Sequence, residues 1–170
     1  MKRYRNQDIE DAFTSERKKP MSDWKSDLDK LFQEKAEEDK VNEEKLTRIK
    51  SEVSAFYSNI VTPAFEELKA QLEKHQREVL ISIGDESAII ATKYNGELEL
   101  DCSIKIRVSL GKAFPYTEIR FRDPPDGKPY KAEGHLRSGT QDYNVTQITQ
   151  EEIIRHVISE YEIYMRSKKK

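Results

Sequence analysis

The sequence predicts an α+β protein in which an N-terminal helical arm precedes an antiparallel meander of four to five strands, with helices over one face of the sheet. Apolar residues recur at steps of three and four before residue 76, at steps of two from residue 79, and again at helical steps after residue 149. We therefore expect a flexible segment over 1–20, a helical arm over 21–61 and a globular α+β domain over 62–170.

Composition limits the classes of function. The 170 residues carry a net charge of -2, whereas nucleic-acid-binding domains are usually clearly basic. No apolar run approaches the roughly 18 residues of a membrane span, and no apolar core follows the basic N-terminus as in a secretory signal. Cys102 is the single cysteine, which leaves no internal disulfide and no cysteine-based zinc site. We expect a cytoplasmic protein with no cofactor, no metal and no membrane contact.

The arm is predicted to contain two helices, 22–40 and 42–61, whose apolar residues lie on one face each. Two readings of the second stripe stay open: a short coiled coil or an amphipathic helix packed on its own domain. Because two other helices already cover the sheet, we expect the stripe to pair with a second copy and the first helix to fold back onto it. The partner-binding candidates are Trp24, Leu28, Phe32, Leu46, Ile49, Val53, Phe56 and Ile60.

Two further helices are expected to cover the sheet. Pro63 lacks a backbone donor, so the chain should kink there or restart as the helix 63–75 with Thr62 as its N-cap. Thr149 and Glu152 form a capping box at the start of the last helix, 150–166. Between sheet and last helix we expect short strands near 130–133 and 143–145.

The strands can be aligned through their turns. The loop 84–87 pairs Ile83 with Ala88, and the loop 94–96 pairs Thr92 with Leu98. From 98 to 110 every even position is apolar, which indicates a half-buried strand with Cys102 facing the core as an inert thiol. A loop near 111–116 would then pair Val108 with Ile119.

This last register brings basic side chains together on the solvent face, with Arg107 opposite Arg120 and Lys105 opposite Arg122. Opposed like charges weaken a strand pair unless an anion or an acidic side chain relieves them. The cluster is therefore a candidate for binding an anion or a nucleic acid, although a solvated face with Glu118 and Asp123 as internal partners is the favoured interpretation. Its members are Lys105, Arg107, Arg120 and Arg122.

The stretch GHLRSGTQDY, residues 134–143, has the composition of an active-site loop. A nucleophile needs a base within hydrogen-bond reach, and His135, Ser138 and Asp142 could supply a hydrolase site here. The three histidines lack metal-ligand spacing, and no glycine-rich phosphate loop is present.

The segment VSLGKAFPYTEIRF, residues 108–121, resembles over one hairpin the strand–Tyr-Pro–strand passage of ubiquitin-conjugating-enzyme-like folds. The order here is Phe-Pro-Tyr and no catalytic cysteine accompanies it, so we carry over no activity from that family.

The sequence favours binding over catalysis. The leading hypothesis is a macromolecule-binding module that self-associates, as a homodimer, or docks on another protein through its N-terminal helices. The alternatives are anion or nucleic-acid binding on the basic sheet face and a hydrolase built on the 135–143 loop.

Overall fold

The computed structural model describes residues 23–122, 129–139 and 141–167, so the predicted flexible segment 1–20 lies outside it. The described chain has the predicted α+β fold, with a five-stranded antiparallel sheet in the order β1-β2-β3-β4-β5. Its elements are α1 (Trp24–Phe56), a π-helical turn (Tyr57–Val61), α2 (Thr62–Lys74), β1 (Glu78–Ile83), β2 (Ser87–Tyr94), β3 (Glu97–Ser109), β4 (Lys112–Arg122), β5 (Pro129–Gly134), a 3-10 turn (Val145–Gln147) and α3 (Gln150–Ser167).

The first helix is continuous, and the prediction of two helices meeting near residue 41 is wrong. α1 runs for 33 residues through the charged stretch 37–44, which contains neither proline nor glycine to end it. The chain divides into two compact units between Glu44 and Lys45, so the last part of α1 belongs to the same unit as the sheet.

Pro63 does not restart the helix. The π-helical turn before it widens the backbone at the point where the proline ring would meet the carbonyl four residues upstream. Thr62 is not an N-cap, because its backbone is helical and its hydroxyl donates to the carbonyl of Tyr57 at 2.8 Å.

The register of β1 and β2 is confirmed, with Ile83 opposite Ala88 and Ile81 opposite Ile90. The register of β2 and β3 differs from the prediction by two residues, because the turn has only two residues, Asn95 and Gly96, and a bulge follows between Thr92 and Lys93. Thr92 therefore lies opposite Leu100.

The register of β3 and β4 differs by six residues. The turn consists of Leu110 and Gly111, both with positive φ, and β4 starts immediately after it. Val108 therefore lies opposite Ala113, and the residues expected in a loop pair with β3. Leu110, placed by sequence on the core face, is 97% exposed at the tip of the hairpin.

The predicted strand at 130–133 is present as β5, whereas the one at 143–145 is not formed. There the side chain of Asn144 accepts from the amide of Thr146, and the amide of Asn144 donates to the side-chain oxygen of Gln147. These local bonds satisfy the backbone and favour a 3-10 turn over a strand. The capping box of Thr149 and Glu152 at the start of α3 is confirmed.

One core joins the sheet to the helices. It includes Phe65 of α2, Ile90 and Ile104 of the sheet and Ile153 of α3, all fully buried. None of the described helices combines the length and the apolar character that crossing a bilayer requires.

Candidate functional site

The basic residues on the outer sheet face do not oppose one another. The observed register places Arg107 opposite Phe114, Lys105 opposite Tyr116 and Arg120 opposite Asp101. The predicted like-charge pairs are therefore absent, since the turn at Leu110 moves every partner by six positions.

Glu118 contacts three basic side chains of this face. Its carboxylate lies 3.0 Å from Nζ of Lys105, 3.2 Å from Nζ of Lys131 and 3.6 Å from Nε of Arg120. The hydrogen bond from Lys105 is the largest cause that lowers the pKa of Glu118, followed on the same side by the bond from Lys131. Glu118 thus acts as an internal carboxylate partner of Lys105 and Arg120.

Arg107 lies farther along β3 and is more open. Its guanidinium is 3.4 Å from the Glu133 carboxylate and lies over the Tyr116 ring at 4.8 Å, while its side chain stays 54% exposed. The side chain of Arg122 lies outside the described part of the structure. Arg107 and Arg120 thus each lie beside a carboxylate, Glu133 and Glu118 respectively, and the predicted opposition of the two arginines is wrong.

The loop predicted for chemistry serves to hold the fold together. Arg137 donates to Glu152 and to the carbonyl of Gln147, and its guanidinium lies over the ring of buried Tyr143. His135, Ser138 and Asp142 are exposed, and within the described residues no hydrogen bond joins any two of them. A nucleophile and its base are thus not brought together.

Several polar groups lie beneath α3. Nε2 of His156 lies 3.0 Å from the hydroxyl of Thr117, and burial lowers the pKa of the histidine. Cys102 is fully buried on the same sheet face, and burial raises the pKa of its thiol. Within the described residues no group of His, Cys, Asp or Glu side chains is arranged to hold a metal.

A second polar contact arises at the bulge opposite Thr92 and Lys93, where Glu99 is the extra residue of β3 between Leu98 and Leu100. Glu99, expected on the solvent face, is 6% exposed, accepts a hydrogen bond from Tyr161 and lies 3.3 Å from Nε of Arg77. The bulge turns this carboxylate inward, and an alternating sequence contains no signal for such an insertion.

The partner-binding candidates divide into two groups. Ile49 and Phe56 are buried in the protein's own core, and Val53 and Ile60 pack against it. Ile49 and Phe56 are unavailable to a second copy, because the sheet domain itself covers them, whereas Val53 and Ile60 are half-buried. The other four remain open to solvent: Trp24, Leu28, Phe32 and Leu46, exposed by 57%, 44%, 63% and 55%.

A groove lies between the second half of α1 and the end of the β3–β4 hairpin. The apolar part of the lining of this cavity of about 1140 Å³ consists of Ile49 and Val53 on the helix and Ile83, Ile106 and Val108 on the sheet, and polar residues such as Lys50, Ser54 and Glu86 complete it. Sequence reasoning missed it, although the dipeptide Leu110–Gly111 could have indicated a tight turn and a longer hairpin.

No family model and no solved structure matches this chain. A glycine betaine transporter of Acinetobacter baylyi is 28% identical to it over 116 residues, which are 68% of this chain and 17% of that protein. The chain thus corresponds to less than a fifth of the transporter's length, and this likeness establishes no family.

Proposed function

We propose that the protein is a non-enzymatic protein-binding module that docks on its partner through the N-terminal part of α1, residues 24–44, here called the docking helix. One observation carries the proposal. Trp24, Leu28 and Leu31 follow one another at i, i+4 and i+7 on a face that is 44–59% exposed, and Phe32 extends it. Helices that bind in the groove of another protein present their anchors with this spacing.

The charge of the docking helix argues for a partner other than a second copy. Together with Asp23, the docking helix contains four lysines and nine aspartates and glutamates. Two such helices side by side would repel each other, whereas a groove with an apolar floor and a basic rim would attract this helix. A cytoplasmic location belongs to the same proposal, in keeping with the unpaired Cys102.

The test uses a photo-crosslinking amino acid placed at one position of the full chain. With the photo-crosslinking amino acid at Leu28, irradiation should give a discrete adduct with one protein. That protein is then purified, and its affinity for the unmodified chain is measured at rising salt. At Lys30, on the opposite side of the helix, the same group should give little adduct. Equal adducts at both positions, or an adduct of two copies of this chain, would contradict the proposal.

A further inference from the structure

The long strand β3 has one open edge. Its pairing with β2 ends at Ser87–Lys105, whereas β3 continues to Ser109. Over Ile106–Ser109 its only strand neighbour in the described chain is β4. A strand edge of this kind is a template on which another strand can form.

The hairpin turn determines which main-chain groups face this edge. Ser109 and Lys112 flank a two-residue turn, and such a flanking pair exchanges both of its hydrogen bonds across the hairpin. The amides and carbonyls of the alternate residues, Ile106 and Val108, therefore point away from β4. Ile104 follows the same alternation, and its carbonyl accepts from the Tyr57 hydroxyl at 3.4 Å.

The open edge borders the groove beside α1. The side chains of Ile106 and Val108 form its wall on the sheet, with Ile83 and Val53 nearby among the lining residues. Tyr57 closes the end nearest to β2, where its hydroxyl also donates to the carbonyl of Glu86 at 3.1 Å. An added strand thus has main-chain partners on one side and apolar surface for its inward side chains.

The tip of the hairpin provides an independent indication. Leu110 has φ of 50°, a left-handed conformation that costs a non-glycine residue about 1–2 kcal/mol. It is also 97% exposed, and Val108 beside it is 53% exposed. A strained, solvent-exposed leucine next to an open edge is the kind of feature found where a partner binds.

We propose that the edge Ile106–Ser109 binds an extended segment of another protein as an added antiparallel strand. Its side chains opposite Ile106 and Val108 are apolar and enter the groove. The residue between them faces the outer side, opposite Arg107, and is acidic, because the positively charged Arg107 side chain stays 54% exposed beside its 3.4 Å contact with Glu133. A second copy is a poorer occupant, since pairing centred on Arg107 would place two arginines directly opposite each other.

The first experiment selects random heptapeptides displayed on phage against the full chain. We expect the motif apolar–acidic–apolar, bound at least tenfold better in fluorescence polarisation than the same peptide with lysine at the centre. In Arg107→Glu this preference should reverse, and in the matched variant Arg166→Glu, whose side chain is 81% exposed on α3, it should persist. Selection of no peptide, or an acidic preference unchanged in Arg107→Glu, would overturn the proposal.

The second experiment tests the strand geometry in the selected peptide. Methylating the amide of an apolar residue removes a donor that faces Ile106 or Val108 and should weaken binding on the order of tenfold. Methylating the amide of the acidic residue, which faces away from β3, should change the affinity little. Equal losses at both positions would exclude strand addition. A dimer of the chain that Val108→Glu dissociates would identify a second copy as the occupant instead.

Discussion

At the scale of single residues, Arg137 joins a surface loop to the start of α3. Its Nη2 lies 2.6 Å from the carbonyl of Gln147, and its Nε donates to the Glu152 carboxylate, which also accepts from the amide of Thr149 at 2.9 Å. The hydrogen bond from Arg137, with that from Thr149, lowers the pKa of Glu152 to about 2. Arg137, which lies within the stretch 134–143, thus has a structural role.

This depressed pKa predicts a pH-dependent stability. The contribution of Glu152 is present above its unfolded pKa near 4.5 and is lost as the pH falls through its folded pKa of about 2. Glu152→Gln keeps a capping side chain but loses the charge, so its stability deficit should shrink between pH 5 and pH 2 in urea unfolding. Glu152→Ala should cost about 1 kcal/mol more at every pH, because it also loses the cap. A deficit of Glu152→Gln that is constant from pH 7 to pH 2 would contradict this assignment.

At the scale of elements, the β3–β4 hairpin combines a strong turn glycine with a poor turn leucine. Both turn residues have positive φ, which glycine and asparagine adopt readily and leucine does not. No atom lies within 4 Å of a Cβ built on Gly111, so any cost of a side chain there comes from the backbone conformation alone.

We therefore expect Leu110→Asn to stabilise the protein by roughly 0.5–1 kcal/mol, since the leucine side chain is almost fully exposed and buries little surface. Gly111→Ala should destabilise it by about 1 kcal/mol. Urea unfolding at neutral pH measures both changes. If Leu110→Asn lowers the stability, the leucine side chain makes a stabilising contact that its exposure does not indicate.

At the scale of the whole molecule, the fold extends upstream of the boundary expected from sequence. Every residue from Asp23 to Arg48 is exposed, and the first buried residue is Ile49. Phe56, Tyr57 and Val61 follow it into the core. The second half of α1 is therefore part of the globular unit.

Truncation tests this boundary. A chain of residues 45–170 should unfold cooperatively at the same urea concentration as the full chain, because it retains every described core residue. A chain of residues 62–170 lacks four large buried side chains, each worth about 2–5 kcal/mol, and should not fold. Loss of structure on removing residues 1–44 would mean that these residues support the fold.

The sequence by itself determined the class of the fold, the register of β1 and β2, and the capped start of α3. These features depend on local signals: a period of two or 3.6 residues, a short turn, and two side chains three residues apart. It also identified the face of Cys102 correctly, because alternation specifies a face.

Only the tertiary structure decided the registers that depend on the turns at Asn95 and Leu110 and the inward position of Glu99. It also decided that Ile49 and Phe56 are buried in the protein's own core. Shifts of two or six residues keep every apolar side chain on the same face, so alternation cannot distinguish these registers. An apolar helical stripe likewise indicates that the helix packs, and the surface it packs against depends on which parts of the chain come together on folding.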